Sequence, residues 1–267
     1  MIPLIPLLLA APSWFMGDRL GAFVASLFFT VAIFGALTMA RKGAQFYIRH
    51  IPGLDAVEEA IGRATEMGKA ILYCPGLSSA ADVATLASLN ILGRVAQKVA
   101  SYESRLIVPH RDPIVMTVAR ETLKDAYLQA GKPEVLNTED NFFITEDQFG
   151  YTAAVNGIIV REKPATIFLQ GMFYAESLLL AETGNAIGAI QIAGTDAVVQ
   201  LPFFIAACDY TLIGEELYAA GAYLSKDPAL LSSLKASDLV KGVLWLMIVV
   251  GAGLGMGGSG LMVGIFG

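Results

Sequence analysis

Cysteine, histidine and charge are all scarce in this chain, and each shortage removes a class of chemistry. Two cysteines, Cys74 and Cys208, cannot build a disulfide framework, and no CxxC pair is present to hold a structural zinc. Free thiols of this kind suit a reducing compartment. Two histidines, His50 and His110, exclude a histidine-rich site, and no metal is expected. Charged residues make up 16 % of the chain, where an average globular domain has about 25 %. The net charge of −6 leaves no basic face to neutralise phosphates, so nucleic acid is excluded as a partner. Neither the GxGxxG turn nor the GxxxxGK loop of nucleotide sites occurs, and no cofactor is expected.

What fills the space is apolar: 55 % of the 267 residues are hydrophobic. Much of that excess lies at the two ends. Leu20–Ala40 carries no charge and has the length of about 20 residues that a helix needs to cross a bilayer. Arg41, Lys42 and Arg49 follow it, so the positive-inside rule puts the middle of the chain in the cytoplasm. A cleaved signal peptide is the alternative, but the run exceeds the usual apolar core of about 7–15 residues. Met1–Met16 is apolar and broken by Pro3, Pro6 and Pro12, which suits a segment at the membrane surface. Gly242–Phe266 is again uncharged, with Lys235 and Lys241 before it, and gives the same orientation. This end is rich in glycine. Gly253/Gly257 and Gly260/Gly264 have the small-xxx-small spacing that lets helix backbones approach closely. Gly253, Gly257 and Gly260 are therefore candidate contacts of a homo-oligomer, with packing against the chain's own first helix as the alternative.

Between the ends, strands and helices alternate. Ala70–Cys74, Arg105–Val108, Ala165–Leu169, Ala189–Ala193 and Tyr210–Ile213 read as short apolar strands, with Glu134–Asn137 and Asn141–Ile144 as weaker ones. Asp55–Met67, Asp82–Val99 and Pro113–Ala130 have helical periodicity. Thr145-Glu146-Asp147-Gln148 has the form of a capping box opening a helix to Glu162. Asp112-Pro113 and Asp227-Pro228 pair an N-cap with the favoured first helical residue. About six strand–helix units predict an α/β fold: an open, doubly wound, Rossmann-like parallel sheet flanked by N- and C-terminal transmembrane helices. The division is residues 1–42 as N-terminal membrane segment, 43–239 as cytoplasmic α/β domain, and 240–267 as C-terminal glycine-rich transmembrane helix.

In such sheets ligands sit beyond the carboxyl ends of the strands. The residues there are Gly76, Ser78, His110, Arg111, Gln170, Thr195, Asp196 and Glu215, and these are the candidate ligand-binding residues. Cys74 with His110 as base and Asp112 or Asp196 as orienter has the parts of thiol catalysis. A buried strand-end cysteine and an N-capping Asp112 are the plain alternatives. The stretch Pro75–Ser79 offers hydroxyls and a helix start that could meet an anion. Gln200–Ala207 is either a core helix or a segment dipping into the membrane.

The run Gln200–Tyr218, with CDYTLIGEELY at its core, resembles a family of uncharacterised bacterial membrane proteins with a domain of unknown function, over most of Asp55–Leu224. The resemblance implies a membrane-anchored α/β protein and supplies no activity. The function expected from the sequence is a non-catalytic, membrane-anchored oligomeric scaffold or sensor, partnered by the membrane and by copies of itself or a membrane-protein complex. The alternative is a membrane-tethered enzyme or a binder of a small anion or nucleotide.

Overall fold

A computed structural model of the chain describes residues 20–41, 52–225 and 228–256. Contacts divide it into two compact units, Tyr47–Lys226 and the two terminal segments.

The central unit is a six-stranded sheet in the order β3-β2-β1-β4-β5-β6, with every pairing parallel. The strands are β1 (Ile71–Cys74), β2 (Leu106–His110), β3 (Asn141–Phe143), β4 (Thr166–Gln170), β5 (Ile190–Thr195) and β6 (Tyr210–Ile213). The helices are α2 (Pro52–Glu66), α3 (Val83–Ser101), α4 (Pro113–Gln129), α5 (Gln148–Glu162), α6 (Glu176–Ala186), α7 (Leu201–Ala207) and α8 (Glu215–Ser225). Strands β1, β2 and β4 are buried along their whole length, as a sheet covered on both faces requires. Alternate residues of each strand enter opposite cores. Ile71, Tyr73, Val108 and Phe168 meet α2, α3, α4 and α8. Leu72, Cys74, Ile107 and Leu169 meet α5 and α6, with Phe204 of α7. The expected doubly wound α/β architecture is therefore observed.

Local chemistry explains where the helices start. The Asp82 carboxylate accepts the Ala84 amide at 2.8 Å, and Asp112 accepts those of Ile114 and Val115 at 2.6 and 3.1 Å. Four details differ from the sequence reading. Pro133–Val135 is a single 3-10 turn, because the proline opens a tight turn where a strand was expected. The cap of α5 is Asp147, which accepts the Gly150 amide at 2.6 Å, while Thr145 accepts the amide of Asp147 itself. Strands β2 and β5 run two residues further than expected, since β3 and β6 pair with their ends. Helix α7 starts one residue later than expected, at Leu201, with Gln200 before it.

In the other unit, α1 (Leu20–Arg41) packs against α9 (Pro228–Met256). Among the described residues, no helix is long and apolar enough to cross a membrane. The expected flanking transmembrane helices thus gain no support there, and α9 carries Lys235, Asp238 and Lys241 in its first half. Gly253 lies within α9, whereas Gly257 and Gly260 fall outside the described residues, as does Met1–Met16.

Candidate functional site

The strand order reverses between β1 and β4, the place where an open α/β sheet usually offers a crevice. Here main chain closes it. The Leu77 amide donates to the Met172 carbonyl at 2.8 Å, tying the loop after β1 to the loop after β4. Both loops need glycine for this. Gly76 has φ +84°, and a Cβ there would lie 2.7 Å from the Met172 oxygen. Gly171 has φ +118°, and its Cβ would lie 2.7 Å from the Pro75 oxygen.

Beside this bridge, the loops after β1, β2, β3 and β4 leave an opening. A cleft of about 380 Å³ lies there, lined by Leu77, Ser78, Ser79, Arg111, Asp112, Glu146 and Tyr174. Arg111 follows β2 and joins three loops, donating through Nη1 to the Leu77 carbonyl and through Nε to the Glu146 carbonyl at 2.7 Å. Asp112 is committed to capping α4. The lining therefore combines one guanidinium, two carboxylates and three hydroxyls. Helices α3 and α4 both start with a capping aspartate, so their amino ends already hold negative charge where a phosphate would bind. The arrangement suits a small polar ligand held by hydroxyls better than a phosphorylated one.

Of the residues expected at the strand ends, Ser78 and Arg111 line this cleft, and Gly76 shapes the loop behind it. His110 does not open onto it. It ends β2, is fully buried, and shares a 2.6 Å hydrogen bond between Nε2 and Asn141 Oδ1. Burial pushes its pKa down to about 4. Gln170 is buried too, donating to the Ile192 carbonyl at 2.9 Å. Its Oε1 fills the space left by the missing side chain of Gly194, where a Cβ would lie 2.2 Å away. Thr195 is buried and accepts the Ala197 amide at 3.2 Å. Asp196 accepts the Tyr218 hydroxyl at 2.6 Å, and Glu215 opens α8. These last two belong to the β5–β6 side of the sheet, away from the lining of the cleft.

Thiol chemistry finds no geometry here. Cys74 is fully buried, and desolvation pushes its thiol up to about 12, far from a thiolate at neutral pH. His110 is occupied with Asn141. Among the described residues no group of three acids, cysteines or histidines is placed to hold a metal. The buried carboxylate of Asp140 is clasped by Arg105 at 2.7 Å. Glu146 and Tyr174 line the cleft but were not singled out from the sequence. Both lie a few residues past their strands, in the turns leading to α5 and α6, where strand-end counting stops short.

A family model described as a domain of unknown function, DUF6754, matches residues 10–261. The match extends on both sides past the Asp55–Leu224 resemblance, and its description names neither an organism nor a membrane. No curated protein matches the chain, and no solved structure does.

Proposed function

Because the chain belongs to this family, whose description carries no activity, we propose a function from the site itself. The protein is a membrane-anchored, non-catalytic sensor whose α/β domain holds a small polar ligand in the cleft formed by Ser78, Ser79, Arg111 and Tyr174. The observation that carries this reading is the cleft: a polar opening of about 380 Å³ at the carboxyl ends of parallel strands. Its size falls in the range of about 300–1,000 Å³ typical of small-molecule sites. The anchorage rests on the full sequence. Leu20–Ala40 and Gly242–Phe266 are both uncharged, and the lysines and arginines beside them favour a cytoplasmic domain under the positive-inside rule. Apolar side chains exposed along α1 and α9, among them Phe34, Trp245 and Ile248, support the same reading.

Native mass spectrometry of the detergent-extracted full chain tests it, because copy number and retained ligand are read together. Wild type is expected to carry an added small mass. A Ser79→Trp variant, which fills the cleft from an exposed position, loses that mass at unchanged copy number. A wild-type protein with no added mass, whose melting midpoint is also unmoved by a panel of sugars, polyols and amino acids, overturns the sensor.

A further inference from the structure

The charges in the cleft beside Arg111 are left open by the protein itself. Main chain holds the guanidinium: Nη1 donates to the Leu77 carbonyl and Nε to that of Glu146. Neutral carbonyls fix its orientation and leave its positive charge uncompensated. Among the described residues, nothing accepts from Nη2. Arg105, by contrast, is paired with Asp140 at 2.7 Å and with Glu162 at 2.9 Å. The negative charges of the cleft are open too. Asp112 uses Oδ1 for the amides of Ile114 and Val115, and its Oδ2 has no partner among the described residues. The Glu146 carboxylate has none there either, nor do the hydroxyls of Ser78, Ser79 and Tyr174.

We infer that the cleft takes a free amino acid with a short polar side chain, its carboxylate on Arg111 and its ammonium against Glu146 and the open oxygen of Asp112. A ligand that fills the cleft takes water away from charges of both signs, and a charge left unpaired is costly once desolvated. A polyol pairs neither sign. A simple anion pairs Arg111 but is repelled by the two carboxylates. A simple amine pairs the carboxylates but meets the guanidinium. A zwitterion answers both, and its carboxylate makes a charge-assisted hydrogen bond to the guanidinium. The guanidinium is already oriented by the two carbonyls, so little conformational freedom is lost when the ligand arrives. The rest of the wall sets the side chain. Among the described residues that line it, only Leu77 is aliphatic, and it is 1 % exposed, so a large apolar side chain would gain little buried contact. Ser78 and Ser79 offer hydroxyls instead. The inference rests on the reading of the cleft as a ligand site and names what fills it.

The test is isothermal titration of the dialysed, detergent-extracted full chain with compounds of one shape. L-Serine carries both charges. Glycerate replaces the ammonium by a hydroxyl, serinol replaces the carboxylate by a hydroxymethyl group, and glycerol replaces both. Serine is expected to bind roughly tenfold tighter than each of the others. Glu146→Gln changes an exposed side chain and keeps the main-chain carbonyl that holds Arg111. It should weaken serine several-fold without weakening glycerate. Glycerate, serinol or glycerol bound as tightly as serine, and lost in Ser79→Trp, overturns the amino acid and leaves the cleft as a ligand site. Serine bound undiminished by Ser79→Trp or by Glu146→Gln overturns it as well. Binding of none of these compounds overturns it too, and the ligand site falls with it only when the retained mass and the melting shifts of the wider panel are also absent.

Discussion

Burial holds the His110 imidazole neutral, with its pKa pushed down to about 4 from an ordinary value of 6.5. Asn141 and Asp112 pull it upward and Arg120 downward, but desolvation outweighs them. The unfolded chain therefore binds a proton at His110 more readily than the folded one. The stability this contributes is complete above about pH 6.5 and is lost as pH falls toward 4. At about 1.4 kcal/mol per pH unit, the loss is on the order of 3 kcal/mol. Thermal melts across that window should show the midpoint falling for wild type and a flatter profile for His110→Gln. Equal slopes for the two would assign the acid sensitivity to other groups. At this scale the sequence was legible for Asp112, whose N-cap role follows from the proline beside it. It was not legible for His110, because its burial depends on how far β3 extends along β2, and Asn141 supplies that pairing from 31 positions away.

Among the elements, α9 joins two different compositions. Its first turns carry Lys235 and Asp238, paired at 3.2 Å, and its later turns carry Gly251, Gly253 and Gly255. Glycine costs a helix about 1 kcal/mol relative to alanine, so a run of them needs compensating contact. Helix α1 packs on α9 within one chain, and the association between copies expected from the glycine spacing would be a second source of such contact. Replacing Gly253 and Gly257 together with leucine is expected to abolish cross-linked oligomers of the extracted protein while the α/β domain stays folded. An unchanged cross-linking pattern would leave the glycines to α1 or to lipid. Elements were readable from sequence where a single local rule governs them, as in the apolar strands Ile71–Cys74 and Thr166–Gln170. They were misread where two turn motifs overlap. Thr145 and Asp147 both accept main-chain amides, and only the second starts the helix.

For the whole molecule, parallel strands and helices on both faces follow from the alternation of apolar runs and helical periods. The strand order does not, since it depends on which sheet edge each crossover returns to, and no single segment encodes that. The orientation that the proposed anchorage would give the domain is a separate matter, read from flanking charge. If Arg41, Lys42, Lys235 and Lys241 face inward as the positive-inside rule requires of the proposed anchorage, a thiol introduced as Lys69→Cys should react with an impermeant maleimide only after cells are permeabilised. Labelling in intact cells would reverse the orientation and move the cleft to the outer side.

The place of β1 in the middle of the sheet has a consequence for biosynthesis. Ile71 must wait for Thr166, its partner on one side, while Leu106 on the other side arrives much sooner. Helix α2, the first part of the domain to be translated, packs against β4, β5 and β6, the last three strands to leave the ribosome. Ala56, Ala60 and Ile61, which α3 can cover only in part, therefore lack their full cover until the chain has grown past Ile213. Non-local closure of this kind folds slowly and exposes apolar surface meanwhile. A nascent chain stalled before β6 would present that surface to chaperones and proteases, so truncations within the last third of the chain are expected to be degraded faster than the full chain.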